Sequence, residues 1–201
     1  GIPYAVIYHS YQGYRRRGDG LTTAINNRCR RAVAHGAAAN IFTNTYAKEY
    51  ASLPESTSHV VLNPVDKWMQ RFYDEISVDR EVPAPFLFAG RIIDGKGIFV
   101  LSRALRRLDG ETKLRVVIAG EGRDEEELRR RTEGLTTVDL DFAGRLDSRE
   151  MVAMYQRARA LVVPSTTHRE GNPLVIAEAL WAGTPVIASD QPPMVESVGA
   201  A

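Results

Sequence analysis

The feature that most constrains this chain is a regular alternation along its length. Short apolar runs alternate with longer amphipathic stretches of helical period. Tyr4–Tyr8, Asn40–Thr43, Val60–Leu62, Phe86–Ala89, Leu114–Ala119, Thr137–Phe142, Ala160–Val163 and Thr184–Ala188 read as strands. They are rich in β-branched and aromatic residues and too short for helices. Leu21–Ala34, Tyr46–Ser52, Lys96–Leu108, Asp124–Arg131, Ser148–Arg157 and Pro173–Ala182 read as helices. Strands that alternate with helices predict βαβ units and parallel sheets, hence an α/β fold of Rossmann-like type. Prolines cluster between Asn63 and Pro85 and the rhythm lapses there, which predicts a boundary. The expected organisation is a partial domain over 1–66, a linker over 67–85 and a near-complete domain over 86–201. The first stretch has only three strands and two helices, half of a doubly wound sheet.

Composition narrows the function. Of 201 residues, 26 are Lys or Arg and 25 Asp or Glu, a net charge of +1. That balance argues against nucleic-acid binding by bulk charge. A single cysteine, Cys29, excludes a disulfide framework or a multi-cysteine metal site; its default reading is a small buried hydrophobe. No apolar run is long enough to span a membrane, and Gly1–Ser10 lacks the pattern of a signal peptide. The expectation is a soluble, cytoplasmic protein. Charge is uneven, however: residues 1–53 carry seven basic groups against two acids. The stretch is either a solvated surface or a patch for an anionic acceptor or the inner face of a membrane.

The chemistry-bearing residues follow strands. Phe86–Ala89 runs into Gly90-Arg91-Ile-Ile-Asp94-Gly95-Lys96-Gly97 and then a helix. Glycine permits close backbone approach, a helix start offers N–H groups, and Arg91 with Lys96 can clamp a pyrophosphate without a metal. Gly120-Glu121-Gly122 and Gly144-Arg145 follow the next two strands. Parallel strands end at one edge, so the three loops converge where open α/β sheets bind ligands. Glu170-Gly171-Asn172-Pro173 then leads into a helix of Leu174, Val175, Ile176, Ala177, Glu178, Ala179 and Leu180. A carboxylate among those apolar neighbours requires a partner or a ligand, and the helix start at Asn172, Pro173 and Leu174 suits phosphate oxygens.

These motifs, in this order, resemble the retaining glycosyltransferases of the GT4 type (glycosyl transferase group 1), which have the GT-B fold of two Rossmann-like halves. The match runs through Gly90-Arg91…Lys96-Gly97, Ile118–Gly122, Phe142–Arg145, Leu161–Ser165, Glu170-Gly171…Glu178-Ala179 and Ala182–Ile187. Glu170 and Glu178 fit the family's pattern of two glutamates with seven residues between them. The resemblance implies transfer of a sugar from a nucleotide-diphosphate sugar, UDP or GDP type, to a glycan or lipid-linked acceptor hydroxyl with retention. Arg91 and Lys96 would hold the diphosphate and Glu178 the ribose hydroxyls. Glu170, Gly171 and the helix start would serve the sugar and phosphates. Pro173 has no N–H, so only Asn172 and Leu174 can donate there. Gly120, Gly144 and Arg145 would border the base, and His9 would reach the sugar. Same-face attack and double displacement both remain open.

Two departures are visible. The family's Glu-Gly-Phe-Gly stands here as Glu170-Gly171-Asn172-Pro173. The family's opening strand with its glycine-rich loop and its closing helix have no counterpart, so the chain is expected to be a fragment that is inactive alone. Alternatives are a nucleotide-sugar-binding module without turnover, or another GT-B enzyme such as a sugar-nucleotide epimerase. Asp139-Leu140-Asp141 matches the Asp-x-Asp of metal-dependent transferases but falls in a strand. His35, His59 and His168 lack metal-ligand spacing, so no metal and no cofactor are expected. Trp68 and Trp181 read as packing anchors.

Overall fold

The computed structural model describes residues 2–8, 28–29, 32–51, 53–76, 84–167 and 170–199. They form two compact units, one of residues 1–63 with 168–172, the other of 64–167 with 173–201.

The first unit holds a three-stranded parallel sheet in which β2 (Ala39–Phe42) lies between β1 (Ala5–Tyr8) and β3 (Ser58–Val60). Its strands pair Ala5 with Ala39 and Phe42 with Val60. Asn40 is fully buried, and both ends of its amide are used. Tyr8 Oη donates to its Oδ1 at 3.2 Å, and its Nδ2 donates to the Ala34 carbonyl at 3.0 Å, tying helical residues 32–36 to the sheet. The Tyr8 ring stacks on Phe42 at 4.6 Å. A short helix, α1 (Thr45–Ala51), follows β2, with Asn44 Oδ1 accepting from the Ala47 N–H at 2.6 Å. Asn63 Nδ2 donates to the Asn172 carbonyl at 2.7 Å within the same unit.

The second unit opens with helix α2 (Lys67–Glu75) and continues as an alternating series: β4 (Phe86–Ala89), α3 (Ile98–Leu108), β5 (Leu114–Ala119), α4 (Glu125–Thr132), β6 (Val138–Gly144), α5 (Ser148–Arg157), β7 (Ala160–Val163), α6 (Leu174–Trp181), β8 (Val186–Ala188) and α7 (Pro192–Gly199). All five strands are parallel, in the order β6-β5-β4-β7-β8. Successive side chains point to opposite faces, which divides the core in two. Leu87, Val117, Leu161 and Val163 face α2, α5, α6 and α7 through Met69, Val152, Ile176 and Met194. Phe88, Val116 and Ile118 face α3 and α4 through Ile98, Leu101, Leu105 and Leu128. Each fully buried side chain of this size stabilises the fold by about 2 kcal/mol.

The expected α/β class and parallel sheets are therefore present, with local differences. Residues 67–75, read as linker, form a helix. Asp66 caps it by accepting from the Trp68 N–H at 3.4 Å, and Trp68, Met69 and Phe72 face the Leu87 side of the second unit's core while Lys67, Gln70, Arg71 and Asp74 face solvent. Gln156 Nε2 donates to the Tyr73 carbonyl at 3.3 Å and Arg149 pairs with Glu75 at 3.5 Å, joining α2 to α5. β3 begins two residues earlier than expected. The helix expected from Lys96 is broken at Gly97, which adopts the left-handed φ of 74° between a short 3-10 turn and α3. α7 was not expected; its paired prolines stand at the first helical turn, where no N–H partner is needed. Cys29 is exposed, not buried, as is its helical neighbour Arg28.

If α2 belongs to the core of the second unit, Met69→Ala should cost about 2–5 kcal/mol in denaturant unfolding monitored on that unit. A linker residue would change stability by no more than about 0.5 kcal/mol.

Candidate functional site at the carboxyl edge of the five-stranded sheet

The strand order reverses between β4 and β7, since the chain moves outward through β5 and β6 and then returns to the other side of β4. Such a switch point opens a crevice at the carboxyl ends of the two strands. Gly90-Arg91 leaves β4 there and Pro164-Ser165 leaves β7. The loops around the crevice pack backbone on backbone. A Cβ on Gly97 would overlap the Pro164 carbonyl oxygen, one on Gly120 the Gly90 oxygen, and one on Gly122 the Ile92 oxygen. Gly90 N–H donates to Ala119 O at 2.9 Å, Ile92 N–H to Glu121 O at 2.9 Å, Gly120 N–H to Gly144 O at 2.6 Å and Thr166 N–H to Gly95 O at 3.2 Å. Asp124 Oδ2 accepts from the Asp94 N–H at 2.9 Å. The glycines of the second loop thus have a packing reason beyond any ligand.

On this frame Arg91 is exposed and Lys96 half-buried, both on the loop after β4. Gly120 follows β5, Gly144 ends β6, and exposed Arg145 comes next. Buried Pro173 and exposed Leu174 stand at the start of α6, which also begins at this edge. The second unit therefore gathers Arg91, Lys96, Gly120, Gly144, Arg145, Pro173, Leu174 and Glu178. Glu170, Gly171 and Asn172 belong with the first unit; Glu170 is half-buried, and Gly171 and Asn172 are buried. His9 and His168 lie outside the described residues.

Glu178 has the partner its neighbours demanded, but it is a hydroxyl. Tyr155 of α5 donates from Oη to Glu178 Oε2 at 2.8 Å. Tyr155 is fully buried, and its carbonyl accepts from Thr184 Oγ1 at 2.6 Å. Burial is the chief cause that lifts the Glu178 carboxyl above its usual range; the Tyr155 hydrogen bond opposes it and the Asp66 charge adds to it. Burial, and then the Glu178 charge, raise the Tyr155 phenol, which stays protonated and acts as a donor. Neither partner is visible in sequence spacing, since Tyr155 lies 23 residues from Glu178. The legible signal was only that Glu178 could not stand alone.

Asp139 and Asp141 both project to solvent from β6, the outermost strand beyond β5, and Asp139 lies 3.7 Å from Arg115 of β5. Among the described residues no group of three or more His, Cys, Asp or Glu is placed to hold a metal, and no helix is long and apolar enough to cross a membrane.

The second unit is thus a doubly wound parallel α/β sheet with glycine-lined loops and the cations Arg91 and Lys96 at its switch point. The sequence profile described as "Glycosyl transferases group 1" matches residues 70–201, and the chain belongs to that family. Glycogen synthase of Mycobacterium tuberculosis is 37% identical over 116 residues, 55% of this chain and 27% of that protein. D-rhamnosyltransferase WbpZ of Pseudomonas aeruginosa is 33% identical over 108 residues, 54% of this chain and 27% of its own length. In fold, HepE of Anabaena, solved in complex with UDP-glucose, superposes with a TM-score of 0.69 at 17% identity over 96% of this chain and 55% of that one. The fold is of the GT-B type. The chain thus spans only part of the length of each of these proteins.

A carboxyl raised in the folded state holds its proton more tightly than the same group in the unfolded chain. Stability is then lost as pH rises from the usual carboxylate value of 4.5 through the Glu178 midpoint. Glu178→Gln should remove that loss. Thermal midpoints of variant and wild type should coincide near pH 4 and diverge in the variant's favour towards pH 8; parallel curves would refute the assignment.

Proposed function

We propose that this chain forms part of a glycosyltransferase that moves a sugar from a nucleotide-diphosphate sugar to an acceptor hydroxyl, with retention and without a metal ion. The observation that carries the reading is the pair of cations, Arg91 and Lys96, on the loop at the β4/β7 switch point, beside the start of α6. Family membership and a fold shared with HepE, which has been solved with UDP-glucose, support it.

In this reading Arg91 and Lys96 bind the diphosphate and stabilise the charge that grows on it as the bond to the sugar breaks, the part a divalent metal plays elsewhere. The N–H groups of Asn172 and Leu174 add donors, and Pro173 fixes the turn without one. Glu178 accepts from the ribose hydroxyls. The backbone at Gly120, Gly144 and Arg145 borders the base. Glu170 with Gly171, and His9, act on the sugar. The acceptor is a glycan or lipid-linked hydroxyl, and the basic residues of the N-terminal part are proposed to meet an anionic acceptor or the inner face of the cytoplasmic membrane.

Calorimetric titration with UDP, GDP and ADP tests the donor site. One nucleotide should bind saturably, and Arg91→Ala and Glu178→Ala should each weaken it at least about tenfold, the scale of a charge-assisted hydrogen bond. Failure of all three nucleotides to bind, or indifference to Arg91→Ala, would overturn the reading. For the membrane contact, sedimentation with anionic liposomes should exceed that with neutral ones and fall as salt is raised; equal sedimentation would remove it.

A further inference from the structure

The bond between Tyr155 and Glu178 joins two helices that both begin at the carboxyl edge, since α5 follows β6 and α6 follows β7. Glu178 lies in the middle of α6, and Tyr155, near the end of α5, reaches its carboxylate from the neighbouring helix. Tyr155 engages Oε2 alone, and Oε1 has no hydrogen-bond partner among the described residues. Tyr155 is itself immobilised, with no exposed surface in the core and its carbonyl held by Thr184. Such a phenol fixes one carboxylate oxygen and leaves the other for a ligand.

We propose that Tyr155 is a positioning residue of the donor site: its Oη–Oε2 hydrogen bond fixes the orientation of the Glu178 carboxylate. The inference rests on the reading of Glu178 as a ligand to the nucleotide. Of the elements packed around α6, α5 contributes Tyr155 and the turn before α2 contributes Asp66, the charged or titratable groups that act on Glu178 among the described residues. β7 and β8 carry no titratable group, α7 carries Glu196, α5 also carries Arg149, Glu150 and Arg157, and α2 carries Lys67, Arg71, Tyr73, Asp74 and Glu75. Hydroxyl donors on a nucleotide bind the carboxylate and not the acid, so affinity should rise with pH as Glu178 ionises.

The test has two arms. Carbon-13 NMR of glutamate side-chain carboxyls follows Glu178 directly, with Glu178→Gln used to assign the resonance. Tyr155→Phe should move the Glu178 titration to higher pH, and Asp66→Asn, which keeps the helix cap, should move it lower. Calorimetry with UDP, GDP and ADP across the same pH range should show the affinity midpoint moving in the same directions, with Tyr155→Phe about fivefold weaker at neutral pH. The difference between variant and wild type cancels the nucleotide's own titration. A role confined to packing would lower the thermal midpoint and leave both titrations unmoved, which would overturn the proposal. An NMR shift with nucleotide affinity independent of pH would overturn it as well. Absence of binding by wild type at every pH would instead refute the donor-site reading, and this inference with it.

Discussion

Backbone crowding at the carboxyl edge of the five-stranded sheet is the constraint on which the site depends. Three carbonyl oxygens, those of Gly90, Ile92 and Pro164, lie where a side chain would stand if Gly120, Gly122 or Gly97 were any other residue. Gly97 and Gly120 also adopt positive φ, at 74° and 141°. The loops after β4, β5 and β7 can therefore close on one another without intervening side chains. Arg91 and Lys96 project from a loop braced on two sides, which is what rigid presentation of charge requires.

Much of this was legible in the chain before any coordinates. Alternating apolar runs identify the strands, because period-two burial leaves the same mark whatever the tertiary context. Leu87 and Phe88, neighbours on β4, serve opposite faces of the sheet, as the pattern requires. The converging loops followed from parallel strands alone. Within the stretch 67–85, read as linker, residues 67–75 form a helix, because the helical spacing of Trp68, Met69, Phe72 and Ile76 outweighs the prolines at 64, 83 and 85. Gly97 misled in the other direction: helical propensity on both sides hid a left-handed residue that long-range packing demands.

What sequence could not supply was pairing at a distance. Glu178 announced itself as a carboxylate in apolar company, but the choice of a tyrosine over a cation depends on how α5 and α6 cross the sheet. The choice matters chemically. A neutral donor leaves the charge of Glu178 uncompensated, and burial with Asp66 nearby then sets its ionisation. A buried arginine would have fixed the carboxylate permanently in the ionised form. The positions of Arg91, Lys96 and Arg145 on loops after strands, by contrast, follow from the strand pattern alone.

The Asp-x-Asp of β6 has a consequence of another kind. Among the described residues β6 is a terminal strand of its sheet, and a terminal strand offers unpaired N–H and C=O groups to any other extended chain. Two carboxylates at alternate positions, Asp139 and Asp141, present like charge along that rim. A second copy approaching edge to edge would bring four negative groups together at strand spacing, which repulsion opposes. The motif that mimics a metal site thereby lies where its charge works against strand addition by a second copy.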